Sequence, residues 1–275
     1  MDKTDFLTIF PTFENLDVVR KTLPSVIEET KRNDARLIVH DSSVKGREAK
    51  WDYLRELNRE KDFFLILSDN LSMAHARNMC LRLGQELYAP EYICVIDDDH
   101  GFEQGLIPSM IGAMQKYYGK VSPNGLRYGM FTACLVHTHA QRVSLGDGFS
   151  YPHPDQPAMT VGASNNCFRC APTSHWDNVL KGWDTDEYLI SLFQTCNMRW
   201  RNYHKGFTVL FVEDGPKSFE IDYEGRGLSK KGLKLWDDNY TASDKRSKFV
   251  GKETFFSKIA GSLSKPLMRK KESGS

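Results

Sequence analysis

No apolar run in the chain approaches the ~20 residues of a membrane-spanning helix, so no integral membrane span is expected. Cysteine is sparse, six in 275 residues, and sits mostly inside apolar patterns; this is the usage of a reduced, cytoplasmic protein and not of a disulfide-stapled one. "CFRC", Cys167 to Cys170, has zinc-knuckle spacing, but no second CxxC completes a site. The start, "MDKTDFLTIF", is acidic and runs directly into a strand pattern, which predicts no leader peptide. There is no internal repeat and no low-complexity core segment, which excludes solenoids and disordered scaffolds. The net charge of +1 hides an asymmetry. Residues 245–275 hold nine Lys/Arg against two Glu, while the rest carries 28 basic and 34 acidic residues. The body is mildly acidic and the tail is basic.

What is present is an alternation. Apolar runs at 6–10, 35–41, 63–69 and 92–96 read as strands. Helical spacing is found at 16–30 (Val19, Leu23, Val26, Ile27) and 47–60 (Trp51, Leu54, Leu57). It recurs at 72–88, with Ser72 as N-cap and Ala74, Met79, Leu83 and Leu87 near one face, and at 103–118, with Pro108 near the first turn. Strands alternating with such helices predict an α/β fold, a mostly parallel central sheet flanked by helices. In that arrangement ligands bind beyond the carboxyl ends of the strands. "PTFEN", "DSS", "SDN" and "DDDH" all fall there, delivering Thr12, Glu14, Asp41, Ser68, Asp69, Asn70 and three aspartates to one rim. Further on, strands are expected within 126–139, 159–170 and 207–214, a loop at 146–157 and a helix at 184–200.

Asp97, Asp98 and Asp99 are the sharpest signal. One aspartate after a strand caps the next helix. Three in succession repel one another, and a hard divalent cation relieves that repulsion. Mg²⁺ takes one or two carboxylates and completes its shell with substrate phosphates, so the pattern implies a metal–diphosphate bridge.

"IFPTFEN", "LIVHDSS", "NLSMAHARNMCLRLG" and "YICVIDDDHG", in this order, closely resemble the nucleotide-sugar half of the GT-A (Rossmann-like) glycosyltransferases, family 2 in particular. The match covers roughly the first 110 residues well and is looser to about residue 212. A lone DxD is a weak signal; four elements in series, with the short A-R-N of Ala76–Asn78, are a strong one. The resemblance implies a glycosyltransferase that uses a nucleotide-sugar donor with Mn²⁺ or Mg²⁺. It places Pro11, Thr12 and Glu14 against the nucleotide and makes Asp41 the acceptor for a uracil imide N–H, which favours UDP. It brings Arg77 to the base or phosphates, Asp97 to the ribose and Asp99 to the metal. Asp98 suits either task, and Asp97 is a second metal candidate.

"KGWDTDEYLISLF", Lys181 to Phe193, admits two readings. Acidic residues in a first helical turn favour the dipole, and Asp184 with Glu187 fits a capping box. The segment also resembles the acceptor-side motif of inverting GT-A enzymes, where a carboxylate takes the proton of the acceptor hydroxyl as the C1–O bond breaks. Asp186 is the first choice for that base, with Asp184 and Glu187 as alternatives. "GASNN" places Asn165 and Asn166 near donor sugar and acceptor by the same resemblance, and Trp183 is either a sugar platform or a core residue. One departure stands out: "FVEDGPKSFE" lacks the late-strand histidine that serves many relatives as a metal ligand.

The organisation expected is a nucleotide-sugar-binding half at 1–120, an acceptor-binding and catalytic half at 121–240, and a basic amphipathic tail at 241–275. Within 252–271, Phe255, Phe256, Ile259 and Leu263 fall at helical spacing among lysines, the pattern of a helix lying on an anionic inner-membrane surface or docking on the domain. The acceptor expected is a glycan or lipid-linked sugar. Nucleic acid is not expected, since the basic run has few interleaved aromatics. Two alternatives stand: a nucleotidyltransferase, which needs a Gly-rich basic loop that "PTFENLD" is not, and an inactive sugar-nucleotide-binding module.

Overall fold

β1 (Phe6–Thr12) is buried along its whole length. Its side chains alternate between two helical layers, which is why it reads as one unbroken apolar run. Phe6 and Phe10 face a core built with Val19, Leu23 and Val26 of α1 (Leu16–Arg32). Leu7 and Ile9 face the other core, with Ala74, Cys80 and Leu81 of α3 (Met73–Tyr88). In the computed structural model the residues described are 5–69, 73–122, 125–133, 135–137, 151–153, 156–162, 168–183, 198, 201–202, 204–212 and 215–221.

β2 (Arg36–Asp41) pairs in parallel with β1 and with β3 (Phe64–Leu67); β4 (Tyr92–Ile96) pairs in parallel with the other edge of β1. α2 (Arg47–Lys61) joins β2 to β3. Beyond β4 lie β10 (Phe168–Pro172), β6 (Arg127–Ala133), β11 (Phe207–Val212), β9 (Gln156–Gly162) and β8 (Tyr151–His153), which completes a nine-stranded sheet among the described residues. Only β9 and β10 run against the rest, so the mostly parallel α/β fold expected from the sequence is the one observed. A small second sheet is made of β5 (His100–Phe102), β12 (Ser218–Glu220) and β7 (Leu135–His137). The first compact unit ends at Tyr223; the second, Glu224–Ser275, lies outside the described residues, as does the tail pattern at 252–271.

Two local expectations change. Tyr151–His153, inside the segment expected to be a loop, is β8, held by its ladder to β9 despite its turn-rich composition. The buried residues of α3 are Ala74, Ala76, Arg77, Cys80, Leu81 and Gly84, with Met79, Leu83 and Leu87 only partly buried. Small residues face the sheet because the helix lies close to it: a Cβ on Gly84 would strike Leu7 and come 3.1 Å from Ile38 Cδ1. Gly84→Ala is expected to cost about 1–3 kcal/mol through overpacking, read as a lower denaturant midpoint at unchanged slope. The described cysteines, Cys80, Cys94 and Cys170, are core residues as expected: Cys94 and Cys170 face each other across β4 and β10, and burial holds the Cys170 thiol well above its ordinary value. Ser72 lies outside the described residues.

α4 (Leu106–Tyr117) carries Pro108 in its first turn, where proline is tolerated. Its left-handed Gly105 supplies no side-chain cap. The buried carboxylate of Glu29, from α1, does so instead, accepting from Gly105 N–H at 2.9 Å and Ile107 N–H at 3.2 Å. Ser25 Oγ accepts from Phe102 N–H at 3.1 Å, and Thr22 Oγ1 donates to the Asp98 carbonyl at 2.7 Å.

A candidate donor site at the carboxyl edge of the sheet

The register of β1 and β2 sets Thr12 opposite Asp41. Two buried residues tie these ends together. The Asp41 carboxylate accepts from Ser43 N–H (3.0 Å), the Ser43 hydroxyl (2.8 Å) and the Trp51 indole (2.8 Å), and pairs with Lys50 at 2.7 Å. Lys50 also donates to Thr12 Oγ1 at 2.6 Å and to the Glu14 carbonyl. Thr12 in turn donates to Asp98 Oδ2 at 2.9 Å, which also accepts from Phe13 N–H at 3.1 Å. A continuous polar chain therefore runs from Asp41 through Lys50 and Thr12 to the middle aspartate.

The three aspartates part company. Asp97 pairs with Arg77 of α3, and Asp99 Oδ1 is in hydrogen-bond contact with His100 Nδ1. Asp98 is tied to the end of β1 through Thr12 and Phe13 N–H. Burial, with Asp99 acting in the same direction, raises its carboxyl to about 6 against the opposing pull of Lys50, Phe13 N–H and Thr12. A divalent cation suits hard carboxylate oxygens such as those that Asp97 and Asp99 carry at one strand end. No cluster of three metal-ligating side chains occurs among the described residues.

Arg77 is 2% exposed, and its Nε and Nη1 have no hydrogen-bond partner among the described residues. Its guanidinium lies 5.3 Å from the ring centre of Trp183, and that of buried Arg169 lies 5.7 Å from it. Trp183 is 3% exposed and packs on Trp176 at 5.3 Å. Of its two expected roles the core role is the one observed, because both cations and Trp176 crowd the ring. The A-R-N segment and the K-G-W-D segment are joined directly. Asn78 Nδ2 donates to the Trp183 carbonyl at 2.7 Å, and Trp183 N–H donates to Asn78 Oδ1 at 2.8 Å. Gly182 is left-handed (φ 72°), and a Cβ there would strike Asn78. Asp184, Asp186, Glu187, Asn165 and Asn166 lie outside the described residues, as do Asn70 and most of the expected helix at 184–200.

Pro11 is buried in β1 opposite His40, while Glu14 and the exposed Phe13 follow at the rim. Ser68 bonds His40 Nε2 at 2.8 Å, and Asp69 pairs with Arg47 at the surface. Sequence reasoning missed Lys50, Ser43 and Trp51. The last two carried a faint signal, a hydroxyl two residues after Asp41 and an indole in the next helix, whereas Lys50 looks like any solvated helix lysine. The Asp41 carboxylate, for which a uracil contact is expected, is fully buried, with Ser43, Trp51 and Lys50 as its partners.

Two buried histidines bear on pH. Burial lowers His40 to about 4, against the opposing pull of Asp41, and lowers His175 to about 4, against its bond to Asn202 at 2.8 Å. Neutral imidazole is the folded form, so their contribution is fully present above pH 6.5 and is lost as pH falls towards 4. Each is worth on the order of 3 kcal/mol across that window. Chemical denaturation across it should show a steep fall, shallower in His175→Gln.

The mostly parallel sheet with carboxylates at the ends of β2 and β4 is that of a GT-A glycosyltransferase. Residues 8–168, more than half of the chain, match the glycosyl transferase family 2 model. The chain belongs to glycosyl transferase family 2 and is a glycosyltransferase enzyme. Its fold is similar to that of TarS residues 1–349 from S. aureus (11% identity, TM-score 0.53), covering 94% of this chain and 78% of that one. It is also similar to mannosyltransferase PcManGT from Pyrobaculum calidifontis, solved with GDP-Man and Mn²⁺ (15%, TM-score 0.54, 98% of this chain and 69% of that one). GalNAc-T7, solved with UDP, GalNAc and Mn²⁺, is similar over 96% of this chain and 54% of its own (10%, TM-score 0.61). No curated protein sequence matches the chain.

Proposed function

We propose that the enzyme moves a sugar from a nucleoside diphosphate to an acceptor hydroxyl with inversion, the acceptor being a glycan or lipid-linked sugar. The observation that carries this reading is the Thr12–Asp98 bond, which fixes the end of β1 against the aspartates at the end of β4 and so aligns a nucleotide rim with a metal rim. Asp99, with Asp97, would hold Mn²⁺ or Mg²⁺, whose charge offsets that growing on the departing diphosphate. Arg77 keeps Asp97 in place and offers unfilled N–H groups to phosphate oxygens. Exposed Phe13 offers a stacking face to the base. Asn78 anchors the chain at Trp183, immediately before the acidic segment from which Asp186 is proposed to take the acceptor proton, with Asp184 and Glu187 as the other candidates; Asn165 and Asn166 are proposed beside the sugar. The two halves, 1–120 and 121–240, would supply donor and acceptor sites.

The test is nucleoside-diphosphate release from a panel of sugar nucleotides, with Mn²⁺ and with EDTA, and proton NMR of the product. Metal-dependent release with an inverted anomeric proton is expected. Retained configuration removes the general-base mechanism, and turnover unaffected by EDTA removes the metal. The similar structures were solved with UDP and with GDP-Man, and UDP is the donor nucleotide favoured here. Among the described residues no helix is long and apolar enough to cross a membrane. The 252–271 pattern supports a peripheral contact, and co-sedimentation with anionic but not neutral vesicles is the expected outcome.

A further inference from the structure

The amino edge of the large sheet, opposite the aspartates, is basic where β6 and β11 begin. The register of these strands sets Arg127 beside Phe207, and Arg127 N–H donates to the Gly206 carbonyl at 2.9 Å. α4 ends at the same edge, and the turn after it is fastened to β6. Gly119 N–H donates to the Tyr128 carbonyl at 2.8 Å, Tyr128 N–H donates to the Lys120 carbonyl at 2.9 Å, and Val121 bridges Arg127. Lys116, Lys120, Arg127 and Lys205 are thereby gathered, all exposed, on one edge. The sequence has no acidic residue between Glu103 and Asp147, or between Glu187 and Glu213. Asp5 and Glu91 precede β1 and β4, and β10 stands between those strands and β6.

The four cations make no ion pair among the described residues. Three of them are held by rings instead. Lys116 Nζ and Lys120 Nζ lie 5.0 and 5.9 Å from the ring centre of Tyr117, and the Arg127 guanidinium lies 4.5 Å from that of Phe207. A ring fixes a cation in place without neutralising it. Among these charges stands an apolar point. Val121 is 69% exposed, more than any other large hydrophobic side chain among the described residues. Exposed Tyr118 is stacked on Phe207 beside it.

We propose that this edge docks on an anionic lipid bilayer, with Val121 entering the headgroup region between Lys120 and Arg127. A bilayer satisfies every part of the patch: lipid phosphates take the cations, the acyl boundary takes the aliphatic side chain, and tyrosine sits at the interface between them. A nucleic-acid backbone uses the charges alone and leaves Val121 in water. The rings on which a base would stack are not on offer, since Tyr117 is buried and Phe207 is covered by Arg127 and Tyr118. Docked in this way, the aspartates at the carboxyl edge face the aqueous side. The assignment is independent of the sugar-transfer reading and of residues 252–271.

The experiment is co-sedimentation of the full chain with two kinds of vesicle, phosphatidylcholine alone and phosphatidylcholine with phosphatidylglycerol in equal parts. Three chains are compared: the original, a Lys120→Glu, Lys205→Glu chain, and Val121→Ser. Residues 252–271 are common to all three, so a difference among them reports this edge. Each basic residue at an anionic surface is worth about fivefold in partition. The charge-reversed chain is therefore expected to bind the anionic vesicles about thirtyfold more weakly or worse. Val121→Ser is expected to bind about three- to tenfold more weakly. All three substituted side chains are exposed, and unchanged thermal midpoints confirm the fold. Equal binding to both kinds of vesicle, or to neither, overturns the proposal. So does a charge-reversed chain or a Val121→Ser chain that binds like the original. Binding to duplex DNA as tight as to the anionic vesicles, and lost in the same charge-reversed chain, overturns the bilayer in favour of nucleic acid.

Discussion

Lys50→Met is expected to lower folding stability by about 3–5 kcal/mol, because it leaves a buried carboxylate without its counter-ion. Lys50 is 1% exposed and Asp41 is 0% exposed, so neither charge has water to fall back on. The loss should not be a packing effect, since methionine nearly matches the lysine stem. A second substitution separates the causes: in a Lys50→Met, Asp41→Asn chain the orphaned charge is gone, and most of the stability should return. Urea denaturation of the wild type, both single variants and the double variant gives the coupling directly. A double variant no more stable than Lys50→Met would mean that Lys50 acts through Thr12 and Glu14 and not through Asp41.

Asp99→Ala is expected to reduce transfer by about a thousandfold or more in kcat/KM, on the order of 4 kcal/mol of transition-state stabilisation. The loss should be specific to the diphosphate. Nucleoside binding without metal should persist, while the Mn²⁺-dependent gain in diphosphate affinity should vanish. Asp98→Asn makes the contrast: its side chain serves Thr12 and Phe13 N–H, so a milder loss, spread over binding with and without metal, is expected. Equal losses in the two variants would mean that the triplet acts as one charge cluster and not as one ligand beside one tie.

Much of this was legible in the chain because the first half obeys simple rules. β1 and β4 are buried on both faces, so their sequences are unbroken apolar runs, and the polar residues that stop them mark the rim. The A-R-N segment and the aspartate triplet were visible for the same reason: charge at the edge of a core is conspicuous. Lys50 and Glu29 were not, since a buried charge is betrayed only by its partner, and a helix pattern does not say which lysine turns inward. Of the stripe chosen for α3 Ala74 is buried, but Met79, Leu83 and Leu87 are only partly so, because the choice followed side-chain size. Where a helix lies tight on a sheet, the inward face is the one with least bulk, here Ala74, Cys80 and Gly84. The second sheet escaped notice because its strands are three residues long and pair segments far apart in the chain, Ser218 with Phe102 and with Leu135.

Three of the anchors on the segment from Asp98 to Ile107, Thr22, Ser25 and Glu29, come from one helix and lie on one stripe of it. α1 is thus a ruler: about 10 Å of helical rise between its first and last mark sets where the aspartates stop and where the next helix begins. A ruler fails by miscounting. One residue inserted into α1 near Ser25 would turn Glu29 about 100° away from α4. The aspartates would then lose their placement although no residue at the rim had been touched.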